Sequence, residues 1–218
     1  MSKLHLVIAN KNYSSWSLRP WMAMTMAGLP FNETIIPLDT PETKQLIAAH
    51  SKSGRVPLLY HGKLAIWESL AILEYLAEAF PQKNLWPKAA STRAAARAVA
   101  NEMHAGFTAL RNACPMNLRR PRKAVAMNDA IKRDVARIEE IWRDCRKRFS
   151  KGGKFLFGKF CNADAMYAPV AARFDTYAIP VAADSREYMS NVMATHAFKS
   201  WREAALKESW IVPSDEVD

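Results

Sequence analysis

The chain is poor in cysteine: its 218 residues include three, Cys114, Cys145 and Cys161. They are odd in number, far apart and in neither C-x-x-C nor zinc-ligand spacing, which excludes a disulfide framework and leaves no metal site to expect. Reduced structural thiols follow. Also missing is any stretch approaching the ~20 consecutive apolar residues of a membrane helix. The N-terminus begins with a short strand-like run, residues 4–9, and not with a charged segment leading into a long apolar one. A cytoplasmic protein without a membrane partner is expected. There is no internal repeat and no low-complexity tract. Acidic residues are outnumbered 31 to 21, and of the net +10 only +2 falls in residues 1–86, with +8 in residues 87–218. Runs such as Arg119-Arg120-Pro121-Arg122-Lys123 and residues 143–148 suit an acidic partner or nucleic acid. The second is interleaved with Asp144 and Cys145 in a helical pattern, so a solvated helix face is expected there and nucleic-acid binding is not.

What is present is enough apolar content, 50%, to bury a core of one large or two small domains. Residues 4–9 read as a buried strand and 18–27 as a helix stopped by Gly28, with Pro30 beyond; residues 31–37 read as a second strand. A helical piece near 41–49 leads to a strand at 56–60, a tight turn at His61-Gly62, a hairpin partner at 63–67, and a helix over 69–80 with Leu70, Ile72, Leu73, Leu76 and Ala77 at helical spacing. The order β-α-β-α-β-β-α is thioredoxin-like. After a linker at 83–90 everything reads as helix: 91–112, 128–149, 163–174, 185–194 and 196–208, with Pro115 and Pro121 breaking the chain between the first two. The expected division is 1–82, α/β, and 91–218, all-helical.

Three segments of the first part carry chemistry. In Arg55-Val56-Pro57-Leu58 a proline opens a strand that continues into a hairpin. It is either an edge-strand proline or a cis bond that turns the main chain of Val56 outward, to pair with an extended peptide by strand addition. Glu68-Ser69 precedes a helix, whose free N–H groups and positive end suit a carboxylate while Glu68 suits an ammonium. Together they fit the zwitterionic end of an amino acid. Asn12-Tyr13-Ser14-Ser15-Trp16-Ser17 lies at the positive end of the first helix, where hydroxyls can hold a bound thiolate. Lowering a thiol pKa by about two units takes roughly 2.7 kcal/mol. A hydroxyl hydrogen bond to a charged group gives roughly 1.5–3 kcal/mol and a helix N-terminus roughly 0.3–1, which suffices.

With these pieces in this order, the chain resembles the cytosolic glutathione transferases along nearly its whole length. The likeness rests on residues 13–19, Arg55-Val56-Pro57-Leu58, Glu68-Ser69 with residues 70–76, and Phe155-Leu156-Phe157-Gly158 through residues 163–169. The resemblance implies a homodimer that binds glutathione and adds its sulfur to a small hydrophobic electrophile. It implies Val56, Pro57, Glu68 and Ser69 as glutathione ligands, with Gln45 and Arg55 at the glycyl end. Ser14-Ser15 with Ser17 is similar to the serine-type zeta and theta branches. A zeta-like alignment assigns the sulfur to Ser14, counting back from Arg19 in the theta manner assigns it to Ser15, and Tyr13 is a third candidate. Trp16, Met103, His104, Phe107 and Arg111, the last four on one face of the first C-terminal helix, would line the electrophile pocket.

The departures matter as well. No cysteine precedes Cys114, which disfavours the mixed-disulfide chemistry of the omega and beta branches. Trp16 stands where zeta members carry a cysteine, which puts their isomerase activity in doubt. Cys161 replaces the Ser or Thr of the family's capping box, leaving that helix to Asp164. The alternatives are a glutathione-dependent isomerase or dehalogenase, and a non-catalytic binding protein on the same fold.

Overall fold

A computed structural model describes residues 3–217. Leu4–Ala9 (β1), Phe31–Ile36 (β2), Leu58–His61 (β3) and Leu64–Trp67 (β4) form one sheet in the order β2-β1-β3-β4. β1 pairs parallel with β2, antiparallel with β3, and β3 pairs antiparallel with β4. A strand covered on both faces reads as a continuous apolar run, and β1 is such a strand, with Leu6, Val7, Ile8 and Ala9 fully buried. Because side chains alternate, Leu6 and Ile8 join the main core with Leu18 and Met22 of Ser15–Met26 (α1) and Ile72, Leu73 and Leu76 of Ser69–Ala79 (α3). Val7 faces the other way, into a small cluster with Ile36, Leu58 and Ile47 of Thr43–His50 (α2). The first part is the thioredoxin-like layer expected from the sequence.

The second part is all-helical: Ala90–Ala105 (α4), Thr108–Ala113 (α5), Asp129–Phe149 (α6), Asn162–Thr176 (α7), Ala183–Met193 (α8) and His196–Ala205 (α9). The single helix expected over 91–112 is two. α4 stops at Gly106, where a Cβ would lie 2.8 Å from the Glu102 carbonyl oxygen, and Phe107 then takes a left-handed conformation at φ +60°. Met103, His104, Phe107 and Arg111 therefore do not share one continuous helical face.

α7 is the hub, with residues 162–174 all buried. Asp164 accepts from the N–H of Cys161 (2.9 Å), the N–H of Leu156 (3.0 Å) and the Tyr188 hydroxyl (3.1 Å), closing the capping box from its acidic side. Burial nonetheless pushes the Asp164 pKa up to about 6. Trp142 of α6 packs against Tyr167, Phe174 and Tyr188. One hydrophobic cluster runs from the sheet through Leu85 and Trp86 into the helices. Asn162 ties the halves by donating to the carbonyls of Leu85 (2.8 Å) and Leu73 (3.1 Å). The three cysteines are buried and unpaired, and burial raises their thiol pKa values, that of Cys114 to about 11. None of the described helices is long and apolar enough to cross a membrane.

Candidate active site

Trp16, Arg55, Val56, Pro57, Glu68, Ser69 and His104 line a cleft of about 280 Å³ between the two halves. A larger hollow of about 580 Å³ beside Arg119 and Arg120 holds none of the expected residues, so the choice rests on chemical groups and not on size. One wall comes from the sheet. The Val56–Pro57 bond is cis, and no hydrogen bond to the Val56 main chain is found among the described residues. Across from it, Glu68 holds φ +72° and ψ +124°, a conformation that costs a non-glycine residue about 1–3 kcal/mol and is characteristic of functional sites. Ser69 opens α3 and is 1% exposed, and its Oγ has no partner among the described residues. The first N–H groups of α3 are likewise free of helical acceptors.

The hydroxyl loop is sorted by its hydrogen bonds. Ser14 caps α1: its Oγ accepts from the Ser17 N–H (3.4 Å) and donates to the Ser17 Oγ (2.8 Å), which in turn accepts from the Ala9 N–H. Tyr13 donates to the Glu216 carboxylate and accepts from Arg119 (2.8 Å), so its hydroxyl is held by the C-terminal segment. Burial, and then the Glu216 bond, raise its pKa. Ser15 differs. Its Oγ accepts from Nη2 of Arg173 (3.1 Å), and its own hydrogen has no acceptor among the described residues. An oxygen that accepts from a guanidinium points its O–H elsewhere. The preceding loop is pinned from afar: the N–H groups of Lys11 and Asn12 donate to the Glu208 carboxylate (2.7 and 2.9 Å), Trp201 donates to the Lys11 carbonyl (2.8 Å), and Asn12 donates to Asn117 (2.9 Å).

Behind Trp16, outside the lining of the cleft, lies a cationic layer. The Arg19 guanidinium lies 4.1 Å from the Trp16 ring centroid and that of Arg111 4.7 Å from it, while His104 meets the same ring edge-on at 5.3 Å. Burial, and then the charges of Arg173 and Arg111, push the Arg19 pKa down. Burial brings that of Arg173 to about 10, far enough above neutrality to stay charged. His104 Nε2 lies 3.5 Å from a Glu68 oxygen, but burial and the Arg19 charge lower its pKa, so at pH 7 this is a contact of a neutral imidazole.

Residues 13–79 match the family described as Glutathione S-transferase, N-terminal domain. Glutathione S-transferase 1 of Dianthus caryophyllus is 32% identical over 120 residues, 53% of this chain and 52% of that one. A probable maleylacetoacetate isomerase of Caenorhabditis elegans is 32% identical over 99 residues, 45% and 46% of the two chains. The chain thus spans about half the length of the curated relatives it matches. The solved structure of a glutathione transferase homolog from Burkholderia gl BGR1 with bound glutathione shares the fold, with a TM-score of 0.69 at 20% identity over 93% of this chain and 98% of that one.

Within this glutathione S-transferase fold, the cleft gathers Val56, Pro57, Glu68, Ser69 and Arg55, expected as glutathione ligands, with Trp16 and His104, expected at the electrophile pocket, while Arg111 lies outside its lining. Neither Ser14 nor Ser15 is part of its lining; Trp16, the next residue, is. Gln45 is exposed on α2 and outside the lining. Met103 is fully buried and Phe107 is 7% exposed, so both serve mainly as core beneath the cleft. The sequence reading missed Arg173 and assigned Arg19 no role. The available signal was a lone cation in each of two helical stretches that bury nearly everything else, 17–24 and 162–174.

Proposed function

We propose that the chain is a glutathione transferase of the serine type. It holds glutathione in this cleft as the thiolate and adds the sulfur to a small electrophile. The observation that carries the reading is the pairing, across one cleft, of unspent groups: the Ser69 Oγ and the N-terminus of α3 on one side and the Val56 main chain on the other. Buried polar groups are ordinarily satisfied, and glutathione satisfies these in register. Its γ-glutamyl carboxylate meets Ser69 and the α3 N–H groups, its ammonium meets Glu68, its cysteinyl main chain pairs with Val56 as an added strand, and its glycyl end lies toward Arg55. The sulfur then faces the start of α1, where Ser15 has an O–H to give and Arg173 to aim it. Ser14 and Tyr13 are already bonded elsewhere, which moves the role from Ser14 to Ser15.

Catalysis in this scheme comes from a lowered thiol pKa and from proximity, with no covalent enzyme intermediate. The resemblance further implies a homodimer working in the cytoplasm, and a division of the chain into residues 1–82, a linker at 83–90 and residues 91–218. Calorimetric titration with glutathione tests the reading: binding in the micromolar-to-millimolar range is expected, and no heat up to millimolar concentration sinks it. Product analysis then separates addition from isomerisation and dehalogenation.

A further inference from the structure

The cationic layer behind Trp16 holds more charge than glutathione uses. Arg19 is 1% exposed, and its Nε and Nη1 have no acceptor among the described residues. Arg173 is 5% exposed; it donates Nε to the Cys114 carbonyl and Nη2 to Ser15, and its Nη1 is left over. Arg111 uses only Nη1, on the carbonyls of Met103 (3.5 Å) and His104 (3.2 Å), and its Nε and Nη2 find no partner among the described residues. Guanidinium groups do not give up their protons in proteins. The carboxylate whose charge bears on Arg19 is Glu68, which sits against the neutral His104 and, in the function proposed above, is taken by the glutathione ammonium. Arg173 also feels the charge of Asp215, so Arg19 and Arg111 are the cations left with one anion that is already spoken for. Unpaired buried charge is strongly unfavourable, so such a cluster is complete only when an anion joins it.

Two negative groups can do so. The glutathione thiolate, at Ser15, answers Arg173. The carboxylates of glutathione are held at the sheet wall, away from Trp16, which leaves Arg19 and Arg111 unanswered where they flank the Trp16 ring. Resting on the glutathione transferase reading, we propose that the second substrate is itself an anion, an electrophile with an apolar body and a carboxylate that docks on Arg111 and Arg19 beside Trp16. This narrows the small hydrophobic electrophile expected from the family resemblance. The fork of a guanidinium suits a carboxylate in particular.

The test uses a matched pair, 4-chloro-3,5-dinitrobenzoate and its methyl ester. In both, the thiolate attacks the carbon bearing chlorine: the C–S bond forms, the C–Cl bond breaks, chloride leaves with the bonding pair, and the thiol proton passes to solvent. The carboxyl group lies para to the reacting carbon, and the ester withdraws electrons more strongly than the carboxylate, so each kcat/KM is divided by the uncatalysed rate of that compound with glutathione, and every preference below is in kcat/KM so normalised. For the unmodified protein, kcat/KM for the acid should exceed that for the ester by about tenfold, one charge-assisted contact. In Arg111→Met this preference should fall to about one, while Arg111→Lys, which keeps the charge but not the fork, should retain about threefold. An unmodified protein that prefers the ester, or an Arg111→Met variant with the preference intact, overturns the proposal. Should Arg111→Met fail to fold, the unmodified protein and the lysine variant still decide.

Calorimetry with the acid alone separates this proposal from the reading beneath it. Acid binding without glutathione binding sinks the transferase and keeps the anion site. Glutathione binding without acid binding or acid preference does the reverse. Competition between acid and glutathione for one site means that the cations serve glutathione itself, and the proposal fails.

Discussion

The two walls of the cleft are built on opposite plans. The sheet wall offers short-range, mostly neutral groups that the protein has left unspent, the Val56 main chain, the Ser69 Oγ and the start of α3, with Glu68 as its one charge. The helical wall, Trp16 and His104 at its surface, is backed by long-range charge, Arg19, Arg111 and Arg173, crowded together at the cost of burial. Hydrogen bonds select shape and register; buried charge selects sign. The comparison teaches that one cleft can set neutral, directional groups on one side against buried charge behind the other.

Breaking the sheet wall at its charge should have the largest effect. Glu68→Gln removes the partner of the glutathione ammonium and is expected to weaken glutathione binding by roughly 10–100-fold, a charged hydrogen bond of about 1.5–3 kcal/mol, measured by calorimetry. On the helical side, Ser15→Ala should leave binding nearly intact and raise the pKa of the bound thiol by about one to two units. The sign is fixed by which form loses support: the hydroxyl stabilises the thiolate, so its removal cuts the thiolate fraction at neutral pH, and activity recovers as pH rises. Ultraviolet thiolate absorbance against pH reads this directly. An unchanged pKa in Ser15→Ala would return the role to another donor. Ser69→Ala, a neutral contact, should weaken glutathione binding by about two- to tenfold with no shift in thiol pKa. Ser14→Ala should touch neither quantity. It removes the cap of α1 and should lower unfolding free energy by about 1 kcal/mol, read from the denaturant midpoint.

The same contrast explains what was legible beforehand. The sheet wall is local in sequence: Val56-Pro57 and Glu68-Ser69 lie within one hairpin of each other, and the apolar spacing of Leu70, Ile72, Leu73 and Leu76 marks the helix that Ser69 opens. Their meeting in one cleft was therefore legible as spacing. The helical wall is assembled from α1, α5 and α7, and the bond from Arg173 to Ser15 spans 158 positions, which no local pattern announces. Without that bond the choice between Ser14 and Ser15 had no physical basis. The break at Gly106 was signalled only by one glycine in a helical run, and the helix was read through it. Gln45 was placed by resemblance alone, on a helix that proves to have no buried residue.

The loop before α1 is secured from distant parts of the chain. Its restraints come from Asn117, Arg173, Trp201 and Glu208, up to 197 positions downstream. During translation the sheet and its neighbouring helices can assemble around a hydroxyl loop whose anchors have not yet left the ribosome. Order in this segment is thereby made to wait for the C-terminal helices: a nascent or truncated chain can fold its first half and still lack the bonds that hold the hydroxyl loop in place.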